Sequence, residues 1–187
     1  MVLAFVCLDL NHLLMKTKRF LAAIALACLC LCASAQTKDH RDPGFRGYAA
    51  ITDQLGVFVG ADVSLGAMLD RMNYLGAGVG AFVYPGDEWP LYGNLFVDYR
   101  HYFKDAKNSF FLGSKLGFSH AFGYDDLPQM TYNNGILAEP NLGWSWGLKS
   151  GNALELAIGA TMLAPVGERR TNRNLMCLPK ISFGFSF

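Results

Sequence analysis

The sequence predicts an all-β fold, an eight-stranded antiparallel up-and-down transmembrane β-barrel over residues 44–187. Three observations point to it. From Lys180 onward, Ile181, Phe183, Phe185 and Phe187 alternate with Lys180, Ser182, Gly184 and Ser186, the period-two signature of a strand with unlike faces. Such an aromatic-rich terminal strand is an aggregation hazard on an open sheet edge and none in a closed barrel. The chain is 52% hydrophobic, yet past its N-terminal region no apolar run approaches the length of a spanning helix, as expected of strands that face lipid on alternate residues. Finally, the strand-like segments number eight, an even count like those of bacterial single-chain barrels.

Residues 1–35 read as a secretory signal with Met15 as the expected true start, a genuine longer n-region being the alternative. Lys16, Lys18 and Arg19 supply the positive region, Phe20 to Leu31 the apolar core, and Ala33-Ser34-Ala35 a small-residue cleavage site. Cys7, Cys28, Cys30 and Cys32 precede that site, so the mature chain keeps Cys177 alone and forms no internal disulfide. The mature chain has a formal charge near zero, which gives a nucleic-acid partner no electrostatic footprint. Residues 36–43, with Lys38, Asp39, His40, Arg41 and Asp42, form a polar N-terminal arm expected to be solvated. A metal held by His40 between carboxylates is the sharper alternative for the arm.

The strands are expected near 44–53, 57–67, 73–84, 89–102, 109–122, 135–148, 153–163 and 178–187. About ten residues rising about 3.3 Å each at a tilt of about 40° cover the apolar band of an outer-membrane barrel. One parity collects Val63, Leu75, Val79, Leu95, Val97, Leu116, Phe118, Leu142, Trp144, Leu156 and Ile158 and is assigned to lipid. The other collects Arg46, Asp62, Asp98, Arg100, Lys115, Glu139, Glu155 and Lys180, with Asn94 and Asn141. In so narrow a barrel side chains fill the interior, so these balanced charges are expected to form a desolvated ion-pair network. Gly76, Gly78 and Gly80 would make room there for Arg100 or Tyr92. The competing structure is a soluble β-sandwich with the charges on a wet face.

With both termini periplasmic, the short turns near 70–72, 104–107 and 149–152 lie on that side and the longer loops near 123–134 and 164–176 outside. Trp89, Phe103, Phe110, Phe122, Trp144 and Trp146 lie near strand ends, where interfacial aromatic belts form. Pro140 cannot donate a ladder hydrogen bond, so a bulge or a late strand start is expected, moving Glu139 toward the outer rim.

Together the signal, Gly44-Phe-Arg-Gly-Tyr48, Leu75-Gly-Ala-Gly-Val-Gly80, Leu95-Phe-Val-Asp-Tyr-Arg100 and Ile181-Ser-Phe-Gly-Phe-Ser-Phe187 resemble the small outer membrane β-barrel proteins of Gram-negative bacteria, with an OmpA-like membrane domain of porin-superfamily type. The resemblance covers nearly all the mature chain and implies outer-membrane insertion. It also implies that Phe183, Phe185 and Phe187 form the assembly signal read by the barrel-assembly machinery.

Function is less legible. The leading expectation is a monomeric, cofactor-free, non-enzymatic structural or surface-interaction protein. Its partners would be outer membrane lipid and lipopolysaccharide, whose phosphates Arg169, Arg170 and Arg173 in the last outer loop could pair with. A narrow ion or small-solute channel through the charged lumen is the alternative. A lipid-modifying enzyme is third: His120 falls on the lipid parity, but Ser119 points inward and no carboxylate stands ready to orient the imidazole.

Overall fold

A computed structural model of the chain describes residues 39–55, 58–83, 91–122, 134–166 and 175–187. Eight strands run β1 (Gly44–Gln54), β2 (Phe58–Met68), β3 (Asn73–Val83), β4 (Leu91–Tyr102), β5 (Asn108–Phe122), β6 (Gly135–Gly147), β7 (Ala153–Pro165) and β8 (Met176–Ser186). Each pairs antiparallel with its sequence neighbours, and β8 returns to β1 to close the barrel. The chain is therefore an all-antiparallel eight-stranded β-barrel.

Both ends of the barrel sequence lie at one end of the cylinder, with the turns 69–72, 103–107 and 148–152. We call this the turn end and the opposite one the loop end. The first turn is set by Asp70, whose Oδ1 accepts from the backbone N–H groups of Met72 and Asn73, each at 2.6 Å. This is the local capping that makes Asp a turn residue. Backbone bonds from Leu69 to Asn73, Phe103 to Phe110 and Leu148 to Asn152 tighten the three turns.

Closure is made at the β1–β8 seam, where Tyr48 opposes Ser186 and Asp53 opposes Ile181. Gly47 and Phe187 then exchange backbone hydrogen bonds of 2.8 and 2.9 Å beyond the last paired strand residue. Two glycines let the seam close. The Phe187 ring lies where a side chain on Gly47 would stand, and the Tyr48 ring where one on Gly184 would stand.

Alternation sorts the faces. Ile51, Val79, Leu95, Leu116, Phe118, Ile136, Ile158 and Phe183 are exposed on the outside, whereas the opposite parity is buried. The interior is layered. Met68, Tyr74, Tyr102, Phe111 and Ala157 cluster toward the turn end, and Phe58, Phe82 and Tyr92, packed with Ala121 and Leu178, toward the loop end. Charged side chains occupy the space between.

Pro140 produces no bulge. β5 pairs with β6 in an unbroken register through Ser114 opposite Pro140, and β7 resumes the same register on both sides of the prolyl position. Only the pairing of Glu139 and Pro140 with β7 is missing. Pro140 faces outward, so its ring needs no room in the lumen, and one ladder hydrogen bond is sacrificed without adding a residue. Glu139 consequently stays buried inside the barrel, away from the outer rim.

Candidate functional site

Strand parity delivers seven charged side chains to the lumen: Asp62 on β2, Asp98 and Arg100 on β4, Lys115 on β5, Glu139 on β6, Glu155 on β7 and Lys180 on β8, all buried. They form two groups. In the first, Lys115 Nζ donates to Asp62 Oδ2 at 2.6 Å, and Lys180 Nζ donates to Glu139 Oε2 at 2.6 Å and Asp62 Oδ2 at 3.3 Å. Thr161 Oγ1 donates to the other Glu139 oxygen at 2.8 Å. In the second, Arg100 donates to Asp98 at 2.7 and 3.2 Å and to Glu155 Oε2 at 2.5 Å, while Tyr102 donates to Glu155 Oε1 at 2.9 Å and Ser64 to Asp98 at 2.8 Å.

Aromatic faces complete the cage. The Arg100 guanidinium lies 3.4 Å from the centroid of Tyr48, and Lys115 Nζ 4.7 Å from that of Phe96. Buried charges survive only when paired and further hydrogen-bonded, and every one of the seven is. A cavity of about 10 Å³ lies between the two groups, bordered by Tyr48, Lys115, Glu139, Asn141 and Lys180. That is about the room of one water molecule.

Arg46, read from the sequence as an eighth lumen charge, is not in this network. Sitting near the start of β1 it is at the rim, where it donates to the backbone carbonyls of Asp39, His40, Asp42 and Phe45 at 2.7 to 3.4 Å. The glycines of β3 also serve other side chains than expected. Gly76 receives Tyr74 of its own strand, while Gly78 and Gly80 receive their cross-strand neighbours Phe96 and the Asp62 carboxylate.

The N-terminal arm departs most from its reading as solvated chain. His40 is 2% and Arg41 0% exposed. The Arg41 guanidinium lies 3.7 Å from the centroid of Tyr102, and its Nη1 donates to the carbonyl of Lys104 at 3.2 Å and of Arg71 at 3.5 Å. Of the lumen carboxylates, Glu155 stands near enough to attract it. His40 Nδ1 lies 2.9 Å from Asp39 Oδ1, and its Nε2 accepts from Arg41 Nε at 3.1 Å. Burial, and then the Arg41 charge, push the imidazole down to about 4. Arg71 ties the arm to the barrel turns through Asp42 and Asp105. No group of three or more His, Cys, Asp or Glu among the described residues could hold a metal ion.

Other sequence candidates are scattered. His120 faces outward against the Phe122 ring, centroids 4.6 Å apart, while Ser119 is buried on the opposite face. Phe183 is exposed on the outside, and Phe185 and Phe187, half-buried, stack at 6.2 Å. Phe110, Trp144 and Trp146 form an edge-to-face chain on the outer surface near the turn end. The signal, Trp89 and the loop arginines Arg169, Arg170 and Arg173 lie outside the described residues.

No family model matches the chain, and no curated protein matches it. Among solved structures it is similar to the N-terminal β-barrel domain of Pseudomonas aeruginosa OprF, with a TM-score of 0.51 at 10% identity. The match covers 76% of this chain and 96% of that domain. The two share a fold. The likeness spans essentially a whole barrel domain on the other side, so it concerns the closed cylinder and not a local run of strands.

Proposed function

We propose that this chain is an integral outer membrane β-barrel protein of a Gram-negative bacterium, a plugged anchor whose outer loops meet surface partners. One observation carries the reading: large apolar side chains are exposed all round the cylinder, while the charges are inside and paired. A soluble barrel reverses that arrangement, since lipid and not water accepts such a girdle. The likeness to the OprF barrel domain supports the same reading.

The chain is exported on its cleaved signal, inserts with both termini in the periplasm, and works as a monomer without a cofactor or a catalytic site. The barrel-assembly machinery reads Phe183, Phe185 and Phe187. Ion pairs and aromatic rings fill the lumen, so the surface activity resides in the loops, with Arg169, Arg170 and Arg173 facing lipopolysaccharide phosphates. Replacing these three arginines by glutamine should weaken binding to lipopolysaccharide micelles severalfold and leave the folded gel band unchanged. Undiminished binding would remove the loop arginines from the function.

A further inference from the structure

The arm in front of β1 is built as a separable part. His40 sits against Gly147, whose added side chain would come within 2.7 Å of its Cε1. Arg41 is seated on Tyr102 and on two turn carbonyls, and Asp42 closes a tight turn by donating its N–H to Asp39 at 2.9 Å. No strand pairing is involved, so the arm can leave without opening the barrel ladder.

One hydrogen-bond role inside it is fixed. A guanidinium Nε–H can only donate, so His40 Nε2, 3.1 Å away, must be unprotonated when the arm is seated. The proton of the neutral ring is then on Nδ1, which lies 2.9 Å from Asp39 Oδ1 but outside hydrogen-bond geometry. A second proton would set Nε2–H against Nε–H and place a new cation beside Arg41 in a buried site.

We propose that the arm Asp39–Pro43 is a proton-operated strap over the turn end of the barrel, unseated when His40 is protonated while the strands stay closed. The charged and titratable groups around His40 are Asp39 and Arg41 on the arm and Arg46 on β1. Arg71 of the β2–β3 turn reaches it through Asp39 and Asp42, and Lys104, Asp105 and Lys107 sit on the β4–β5 turn beside it. Tyr102 of β4 and Glu155 of β7 stand behind Arg41. β6 contributes uncharged Gly147. Asp39, which also faces Arg71, favours a protonated ring, while burial and the Arg41 and Arg46 charges oppose it.

The direction follows from linkage. The seated imidazole titrates near 4 and a free one near 6.5. Between these values the released arm binds more protons, so seating is fully favoured above about 6.5 and weakens as pH falls toward 4. Unseating removes Arg41 from Tyr102 and opens the turn end toward Glu155.

Amide exchange of the full mature chain in detergent micelles tests this, read by nitrogen-15 NMR at pH 7 and pH 4 and corrected for intrinsic exchange. The Asp42 amide should exchange about a hundredfold faster at pH 4, with Phe96 and Leu116 still protected. In His40→Gln, whose side-chain oxygen can still accept from Arg41, Asp42 should stay protected at both values. Unchanged Asp42 exchange in the wild type would overturn the strap. Equal acceleration in His40→Gln would transfer the acid response to Asp39 and Asp42 and remove His40 from it. Simultaneous loss of protection at Phe96 would show that the arm is no independent part.

Discussion

Lys180 Nζ lies 2.6 Å from Glu139 Oε2, a pair that β8 and β6 reach toward each other across β7. Neither residue is on a neighbouring strand of the other, so the two long side chains meet over the inward face of β7, where Gly159 stands opposite Lys180. Truncating one member should cost far more than removing both.

Glu139→Leu is expected to lower stability by about 3–5 kcal/mol, because Lys180 is left buried with only the longer contact to Asp62. Adding Lys180→Met should recover at least about half of that loss. Urea unfolding in lipid vesicles followed by tryptophan fluorescence measures both. Strictly additive losses would mean that the pair contributes nothing as a pair.

The seam offers a second test. Gly184→Val drives a side chain into the space of the Tyr48 ring, which in turn holds Arg100. Overpacking of this kind costs about 1–3 kcal/mol. The temperature at which the folded band disappears from a gel should fall; Gly151→Ala, in the β6–β7 turn, should lower it through the backbone, whose φ of 84° disfavours a side chain.

Arg41 and Arg46 should separate. Arg41→Ala removes a fully buried guanidinium, its stacking on Tyr102 and its bond to the Lys104 carbonyl, a loss of about 1–3 kcal/mol. Arg46→Ala removes bonds to arm carbonyls at a half-buried rim and is expected to cost less. Thermal unfolding of the two variants in the same detergent ranks them; the reverse order would restore Arg46 to the lumen network.

Phe187 has a role in the folded seam as well as its proposed role in assembly. Phe187→Ala removes the ring over Gly47 but keeps the paired backbone hydrogen bonds. Folding from urea into detergent should therefore succeed, while the amount reaching the outer membrane in cells falls severalfold. Equal loss in both settings would assign the residue to stability alone.

The barrel was legible because alternation is local. Each strand from β1 to β8 carries its own two faces, and the seven lumen charges follow from parity without any knowledge of pairing. Parity also held the neutral partners Tyr48, Ser64, Tyr74, Tyr102 and Thr161, which charge counting passed over because their role is to finish hydrogen bonds begun by ions. Arg41 could not be found that way. It lies outside every strand, so no periodicity marks its direction, and a polar segment before a barrel reads as solvated chain. Pro140 misled for a related reason: a missing donor was read as a register change, whereas the outward ring and an unbroken register on both sides cost a single rung.

The most direct measurement is gel mobility, unboiled and boiled, of protein recovered from carbonate-washed outer membranes. A closed barrel has no strand edge for detergent to open, so the unboiled sample should remain folded and run apart from the boiled one. Retention in the washed membrane with that shift is the expected result. Recovery in the soluble periplasmic fraction, with one mobility in both samples, would contradict a membrane-spanning barrel and turn the exposed girdle into a surface in need of another partner.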